Sequence, residues 1–282
     1  MPTLSKSTLV TIVTFNPEIG LFRKNLAALC EQFEHILIVD NGSTNIAEID
    51  EIAKVTGKKI EIERLPENMG IAFAQNIGFS RAKKMKVPWL LTMDQDSVIP
   101  ANLTDEYQNI LEAYDNVGLV SWDQREGQDN VKIIENDWWI LSSGCLTSIA
   151  ALNKVGGFDN ELFIDHVDTD VNIKIRNAGF KTITTGKVKL NHHLGVETAH
   201  KTIRGANYRE HSPVRVYYII RNGIVIFKRY FFKQPIWMLQ ALKTCFREGI
   251  YLLYFQPHKM KNIPLLAKAW WDGVFNNLGR YN

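Results

Sequence analysis

Between residues 8 and 94 the chain alternates between two hydrophobic periods, and that alternation restricts the fold more than any other feature. "TLVTIVTFN" (8–16) is an apolar, β-branched run ended by Pro17. "GLFRKNLAALCEQ" (20–32) sets apolar residues at 21, 22, 26, 29 and 30, which share one face of a helix. "HILIVDNGST" (35–44) is strand-like and closes on an Asp-Asn-Gly turn, and "IAEIDEIAKVTG" is helical with Gly57 past its end. "KIEIERLPEN" (59–68), "IAFAQNIGFSRAKKM" (71–85) and "WLLTMD" (89–94) repeat strand, helix, strand. Short connections with a helix between successive strands belong to a parallel sheet. The expected fold class is α/β, a Rossmann-like and mostly parallel sheet flanked by helices.

After Ile99 the pattern mixes. "NLTDEYQNILEAYDN" predicts a helix, "VGLVSW" a strand, and "WWILSSGCLTSIAALNKVGGFD" a strand or loop leading into a short helix. "HVDTDVNIKIRNAGF" predicts a helix opened by acids, "KTITTGKVKLNHH" is strand-like, and "VYYIIRNGIVIFKRYF" begins a helical C-terminal extension. Composition changes near residue 213. The net charge is +3, yet residues 213–282 carry 11 Lys and Arg against two acids, Glu248 and Asp272. The same stretch holds 15 of the 30 aromatic residues. The expected organisation is therefore a domain over 1–212 and a helical, basic and aromatic region over 213–282. Bases mixed with rings suit a membrane surface, and a helical pair packing its aromatics on the catalytic domain or on a second subunit, as in a homodimer, is the competing reading. No nucleic-acid partner is expected, since nothing else in the chain points to one.

The strand ends carry the candidate chemistry. The first strand ends at Thr14-Phe15-Asn16, the second at Asp40-Asn41-Gly42-Ser43, and the fourth at Asp94-Gln95-Asp96. In a parallel sheet these ends share one edge, where α/β proteins bind ligands. A buried Asp40 can accept from a base N–H or a ribose hydroxyl. Asp94 and Asp96 can hold a divalent cation, which in turn neutralises a diphosphate. "ENMGIAFAQNIG" (67–78) adds Gly70 for a tight turn and the amides of Asn68 and Asn76, which a capped helix start explains as readily. "FIDHVDTDV" sets Asp165, Asp168 and Asp170 near a helix N-terminus, where one acid caps and another can act as a base. "LNHHLG" offers His192 or His193 to a cation or a phosphate.

The bulk numbers exclude some classes. Hydrophobic residues are 45% and charged residues 22%, the balance of a globular protein with a sizeable core. Cys30, Cys145 and Cys245 match no metal or redox spacing, so free thiols in a reducing compartment are expected. The first ten residues lack the apolar core of a signal peptide, and no run of 18 apolar residues occurs, so a spanning helix is not expected.

Taken in order, "VTFNP", "IVDNGS", "ENMGIAFAQNIGF", "LLTMDQDS", "SSGCLTS", "GGFDNELFIDHVDTDV" and "NHHLG" resemble family 2 glycosyltransferases with the GT-A fold, over roughly residues 8 to 225. "AQN" with "DQDS" and "FIDHVDTD" is most similar to bacterial rhamnosyltransferases of that family. The resemblance implies an inverting, Mg²⁺- or Mn²⁺-dependent transferase. Its donor would be dTDP-β-L-rhamnose. Its acceptor would be a lipid-linked oligosaccharide of O-antigen or capsule type, at the inner face of the cytoplasmic membrane. Thr14, Phe15, Asn16, Asp40, Asn68, Gly70, Asn76, Asp94 and Gln95 would bind the nucleotide sugar. Asp96 and His192 would hold the metal, and Asp168 would be the base. Asp165, His193 and Arg221 would touch acceptor or phosphate. The alternatives are a family 2 transferase using a UDP-linked hexose or galactofuranose, a non-catalytic nucleotide-sugar-binding scaffold, and a haloacid-dehalogenase-type phosphatase. The last usually carries its Asp-x-Asp on the first strand, not the fourth.

Overall fold

A computed structural model describes residues 3–57, 60–125, 132–137, 140–192, 200–201, 207–208, 211–256 and 259–281. The predicted alternation is present as β1 (Thr8–Thr14), α1 (Ile19–Gln32), β2 (His35–Asp40), α2 (Ile46–Val55), β3 (Ile60–Arg64), α3 (Ile71–Met85) and β4 (Trp89–Asp94). Then come β5 (Ser97–Val98), α4 (Leu103–Ala113), β6 (Val117–Trp122), β7 (Ile133–Glu135), β8 (Cys145–Ser148) and α5 (Ile149–Val155). A 3₁₀ turn (Asn160–Leu162) precedes α6 (Val167–Asn177), β9 (Lys181–Thr185), β10 (Asn191–His192), β11 (His200–Lys201) and β12 (Asn207–Tyr208). The last helices are α7 (Pro213–Tyr230), α8 (Pro235–Phe255) and α9 (Lys259–Phe275).

The main sheet has the order β3-β2-β1-β4-β8-β6-β9-β7. β3, β2, β1 and β4 pair in parallel, as do β6 and β9, whereas β8 is antiparallel to both β4 and β6. β7 is antiparallel to β9. The sheet is thus parallel on one side and mixed on the other. β7 comes between β6 and β8 in the chain and, being antiparallel to β9, runs in the same direction as β8. "KTITTGKVKLNHH" likewise divides: its first part is β9, and its end is β10, which leaves the main sheet to pair with β5.

The core of this sheet explains its helices. Phe22, Leu26, Leu29 and Cys30 of α1 are buried with Val10, Ile12, Ile36 and Ile38. α3 lies unusually close to β1. A Cβ on Gly78 would sit 2.2 Å from Thr11 Oγ1, so only glycine permits the approach.

The chain divides into two compact units, Met1–Asp159 with Val167–His193, and Asn160–His166 with Leu194–Asn282. The second unit is built on α7, α8 and α9, around Val216, Tyr217, Ile220, Ile224, Cys245, Leu252 and Ala269. Ser212 caps α7, its Oγ accepting from Arg215 N at 3.3 Å, with Pro213 in the first turn. Among the described residues no helix is long and apolar enough to cross a membrane.

Candidate active site

The chain runs outward from β1 through β2 to β3 and then crosses back to β4 on the other side of β1. The carboxyl ends of β1 and β4 therefore flank the point where strand order reverses, which opens a crevice. Three of the predicted clusters meet there. Asp40 is 2% exposed, and its carboxylate accepts from Thr14 Oγ1 at 3.0 Å and Ser43 N at 2.9 Å. Asn16 turns the chain out of β1 with φ 48°. Its N–H donates to Ser43 Oγ (2.8 Å), and its Oδ1 accepts from Thr44 N and Oγ1. The Gln95 amide clasps the Phe15 backbone, Oε1 accepting from Phe15 N at 2.7 Å and Nε2 donating to Phe15 O at 3.3 Å. That clasp joins the loops after β1 and β4.

A second layer of amides extends this edge. Asn41 Nδ2 donates to Asn68 Oδ1 (3.0 Å), Asn41 Oδ1 accepts from Met69 N (2.8 Å), and Asn68 Oδ1 also accepts from Gly70 N (3.0 Å). Gly70 has φ 90°, which a side chain would strain. Asn76 faces elsewhere: its Nδ2 donates to Phe158 O (2.8 Å) and its Oδ1 accepts from Phe158 N (3.0 Å). Its amide thus secures the Gly-Gly-Phe loop against α3.

Asp94 ends β4, Asp168 lies at the start of α6, and Cys145 opens β8. The Asp94 N–H donates to Ser143 Oγ (3.1 Å), and its carbonyl accepts from Asn25 Nδ2 (2.7 Å). Burial pushes the Cys145 thiol well above its usual range, and the negative charges of Asp168 and then Asp94 push it further. Asp168 lies in the first turn of α6 and its Oδ1 accepts from Thr169 N at 2.8 Å. Asp170 is turned inward and is fully buried, 2.5 Å from Lys174 Nζ. His192 enters through β10, whose backbone pairs with Ser97, the residue after Asp96. His193 lies outside the described residues.

Asp165 and Arg221 belong to the second unit. Asp165 has φ 60° and forms a 3.3 Å ion pair with Arg215. Arg221 is 1% exposed, and its guanidinium donates to Gly279 O (2.6 Å), Leu162 O (3.0 Å), Glu161 O (3.3 Å) and Asn222 Oδ1 (2.9 Å). It also lies over the Tyr218 ring at 4.8 Å. The sequence expectation of an acceptor-phosphate contact is corrected here: a guanidinium so buried and so saturated is a packing element.

Among the described residues no group of three or more His, Cys, Asp or Glu forms a ready metal cluster. The donor set at the end of β4 nevertheless fits a hard cation of the Mg²⁺ or Mn²⁺ type. Such ions are held by one or two carboxylates and complete their shell with phosphate oxygens and water. Asn25, Asn41 and Ser143, which frame the acids, were not singled out by sequence. Asn41 stood within a quoted cluster, but Asn25 reads as an ordinary residue of an amphipathic helix.

A switch-point crevice with acids at its strand ends is where α/β sheets of this order bind their ligands. The profile of Glycosyl transferase family 2 matches residues 9–156, and the chain belongs to that family. It is a glycosyltransferase with a GT-A fold. It is similar to the dTDP-rhamnosyl transferase RfbF of Shigella flexneri, 29% identical over 300 residues that cover 96% of this chain and 97% of that protein. Its fold is similar to that of S. aureus TarS 1-349 (TM-score 0.59, 15% identity, 95% of this chain and 80% of that one). It is also similar to that of the mannosyltransferase PcManGT from Pyrobaculum calidifontis, solved with GDP-Man and Mn²⁺ (TM-score 0.60, 17% identity, 97% and 78%).

Proposed function

We propose that the protein transfers L-rhamnose from dTDP-β-L-rhamnose to a hydroxyl of a lipid-linked oligosaccharide, with inversion at the anomeric carbon. The observation that supports the reading is that β1, β2 and β4 end side by side, bringing Asp40, the Gln95–Phe15 clasp and the Asp94-Gln95-Asp96 run to one edge of the sheet. Asp40 accepts from the base or ribose, while Gln95 and Asn16 hold the loops on either side of it. Asp168 takes the proton of the acceptor hydroxyl as its oxygen attacks the anomeric carbon. The bond from that carbon to the diphosphate oxygen breaks in the same step, and dTDP leaves. Asp96 and Asp94, with His192 as a further donor, would hold a divalent cation, which when bound would supply positive charge at the leaving diphosphate. One in-line displacement inverts the centre, so a β-donor yields an α-rhamnoside.

The choice of donor is supported by the near full-length similarity to a protein named as a dTDP-rhamnosyl transferase. A UDP-sugar is the second reading, because thymine and uracil present the same edge to Asp40, and TarS 1-349 has been solved with UDP-GlcNAc. A panel of nucleotide sugars, assayed for nucleoside diphosphate release with Mg²⁺, Mn²⁺ or EDTA, decides between them. Release of dTDP from dTDP-rhamnose above all other donors is expected. Preference for a UDP-sugar would replace the donor while leaving the mechanism intact.

A further inference from the structure

The charge asymmetry near the C-terminus takes on a different meaning once burial is known. Glu248 and Asp272 are the only acids after residue 212, and both are inside, 6% and 3% exposed. Glu248 is paired with Arg247 (2.9 Å) and Asp272 with Lys268 (2.9 Å). The outer surface of α7, α8 and α9 therefore carries no acidic side chain. Against that cationic background the outward side of α8 is apolar. Ile236 (70%), Leu239 (54%), Phe246 (53%), Ile250 (62%) and Tyr254 (59%) are all exposed. Steps of three, four or seven put these residues on one helical face, with Lys243 in their midst. α9 adds exposed Met260, Lys261 and Trp271. Isolated exposed apolar residues need no explanation, but a continuous face does.

We infer that the outward face of α8, with the adjoining residues of α9, lies in the interface of an anionic lipid bilayer. Aliphatic side chains and rings enter the acyl boundary while Lys243, Lys233 and Lys261 meet phosphate headgroups. The complementarity decides the occupant. A second copy docked through the same face would bring cations against cations with no carboxylate to answer them. A nucleic-acid backbone would answer the cations but leave five large apolar side chains in water. The inference does not depend on which donor sugar the enzyme uses.

The test uses the full chain and two vesicle populations, phosphatidylcholine alone and phosphatidylcholine with phosphatidylglycerol. Sedimentation with the anionic vesicles and release by salt are expected. Lys243→Gln should lower the partition coefficient about fivefold, the usual effect of one base at such a surface. The pair Phe246→Ser and Ile250→Ser should lower it by a larger factor. Both sites are exposed, so unchanged thermal unfolding and donor hydrolysis in these variants will show that the fold is intact. Equal sedimentation with both vesicle types, or none with either, overturns the inference. A dimer in light scattering that the serine pair dissociates, without vesicle binding, overturns it too and assigns the face to a second copy.

Discussion

Asp40 and Asp272 are almost equally hidden, 2% and 3% exposed, and they are held in opposite ways. The donors to Asp40 are a hydroxyl and a backbone N–H, Thr14 Oγ1 and Ser43 N. Asp272 accepts from Tyr217 OH (2.6 Å), Lys268 Nζ (2.9 Å) and Asn277 Nδ2 (3.0 Å), so a cation answers its charge within the fold. A carboxylate oriented by neutral donors keeps its negative charge available to a ligand; one neutralised by lysine serves packing. Burial alone does not distinguish the two acids, but the charge of their partners does.

Changes at the crevice acids should therefore act on catalysis and changes around Asp272 on stability. The largest effect is expected for Asp96→Ala, a loss on the order of 10³-fold in transfer, as befits a lost cation contact worth several kcal/mol. EDTA should reproduce it on the unaltered protein, and a variant as active as the parent would break the metal reading. Asp168→Asn should lower transfer by about 10²-fold or more while dTDP binding, followed by calorimetry, persists. Asp165→Asn is its control with a milder defect, because that acid is already engaged by Arg215. Should the control be the inactive one, the base lies three residues earlier.

Smaller effects are expected in the second unit. Tyr217→Phe leaves Asp272 short of one donor and should cost about 1–2 kcal/mol in urea unfolding with kcat unchanged. The Tyr217 hydroxyl is pushed upward by burial and by its bond to Asp272, so it remains a donor through neutral pH. For Asp272 burial acts upward, but Tyr217, Lys268 and Asn277 outweigh it and hold the carboxyl below its usual value. A carboxyl depressed in the folded state stabilises the fold above the unfolded value near 3.8 and loses that contribution as pH falls through its folded value. Asp272→Asn should therefore flatten the acid limb of the stability profile below about pH 4, read from urea midpoints from about pH 6 to about pH 3. An unchanged acid limb would erase the contrast with Asp40.

The half of the sheet from β1 to β4 was legible because helices and buried strands of that kind write their period into the chain. β8 was legible only as a strand or loop ahead of α5; its antiparallel place between β4 and β6 was not, since that is set by partners distant in the chain. The strand-end placing of Asp40 and Asp94 was legible because each closes an apolar run that reads as a strand. Asn76 and Arg221 show the limit. The partners of Asn76 lie 82 residues away at Phe158, and those of Arg221 are carbonyls 58 to 60 residues away. Nothing in the neighbouring sequence announces them.

The position of β8 has a kinetic consequence. β3, β2, β1 and β4 come from one continuous stretch, whereas β6, β9 and β7 reach them in the sheet through β8 alone. During synthesis the first four strands can pair as soon as β4 has emerged, with β4 left as an open edge. The sheet closes when residues 145–148 arrive, some fifty residues later. We expect pulsed hydrogen exchange to protect β1 and β2 before β6 and β9. An unpaired β4 edge, ending at Asp94, is where a stalled nascent chain would aggregate first.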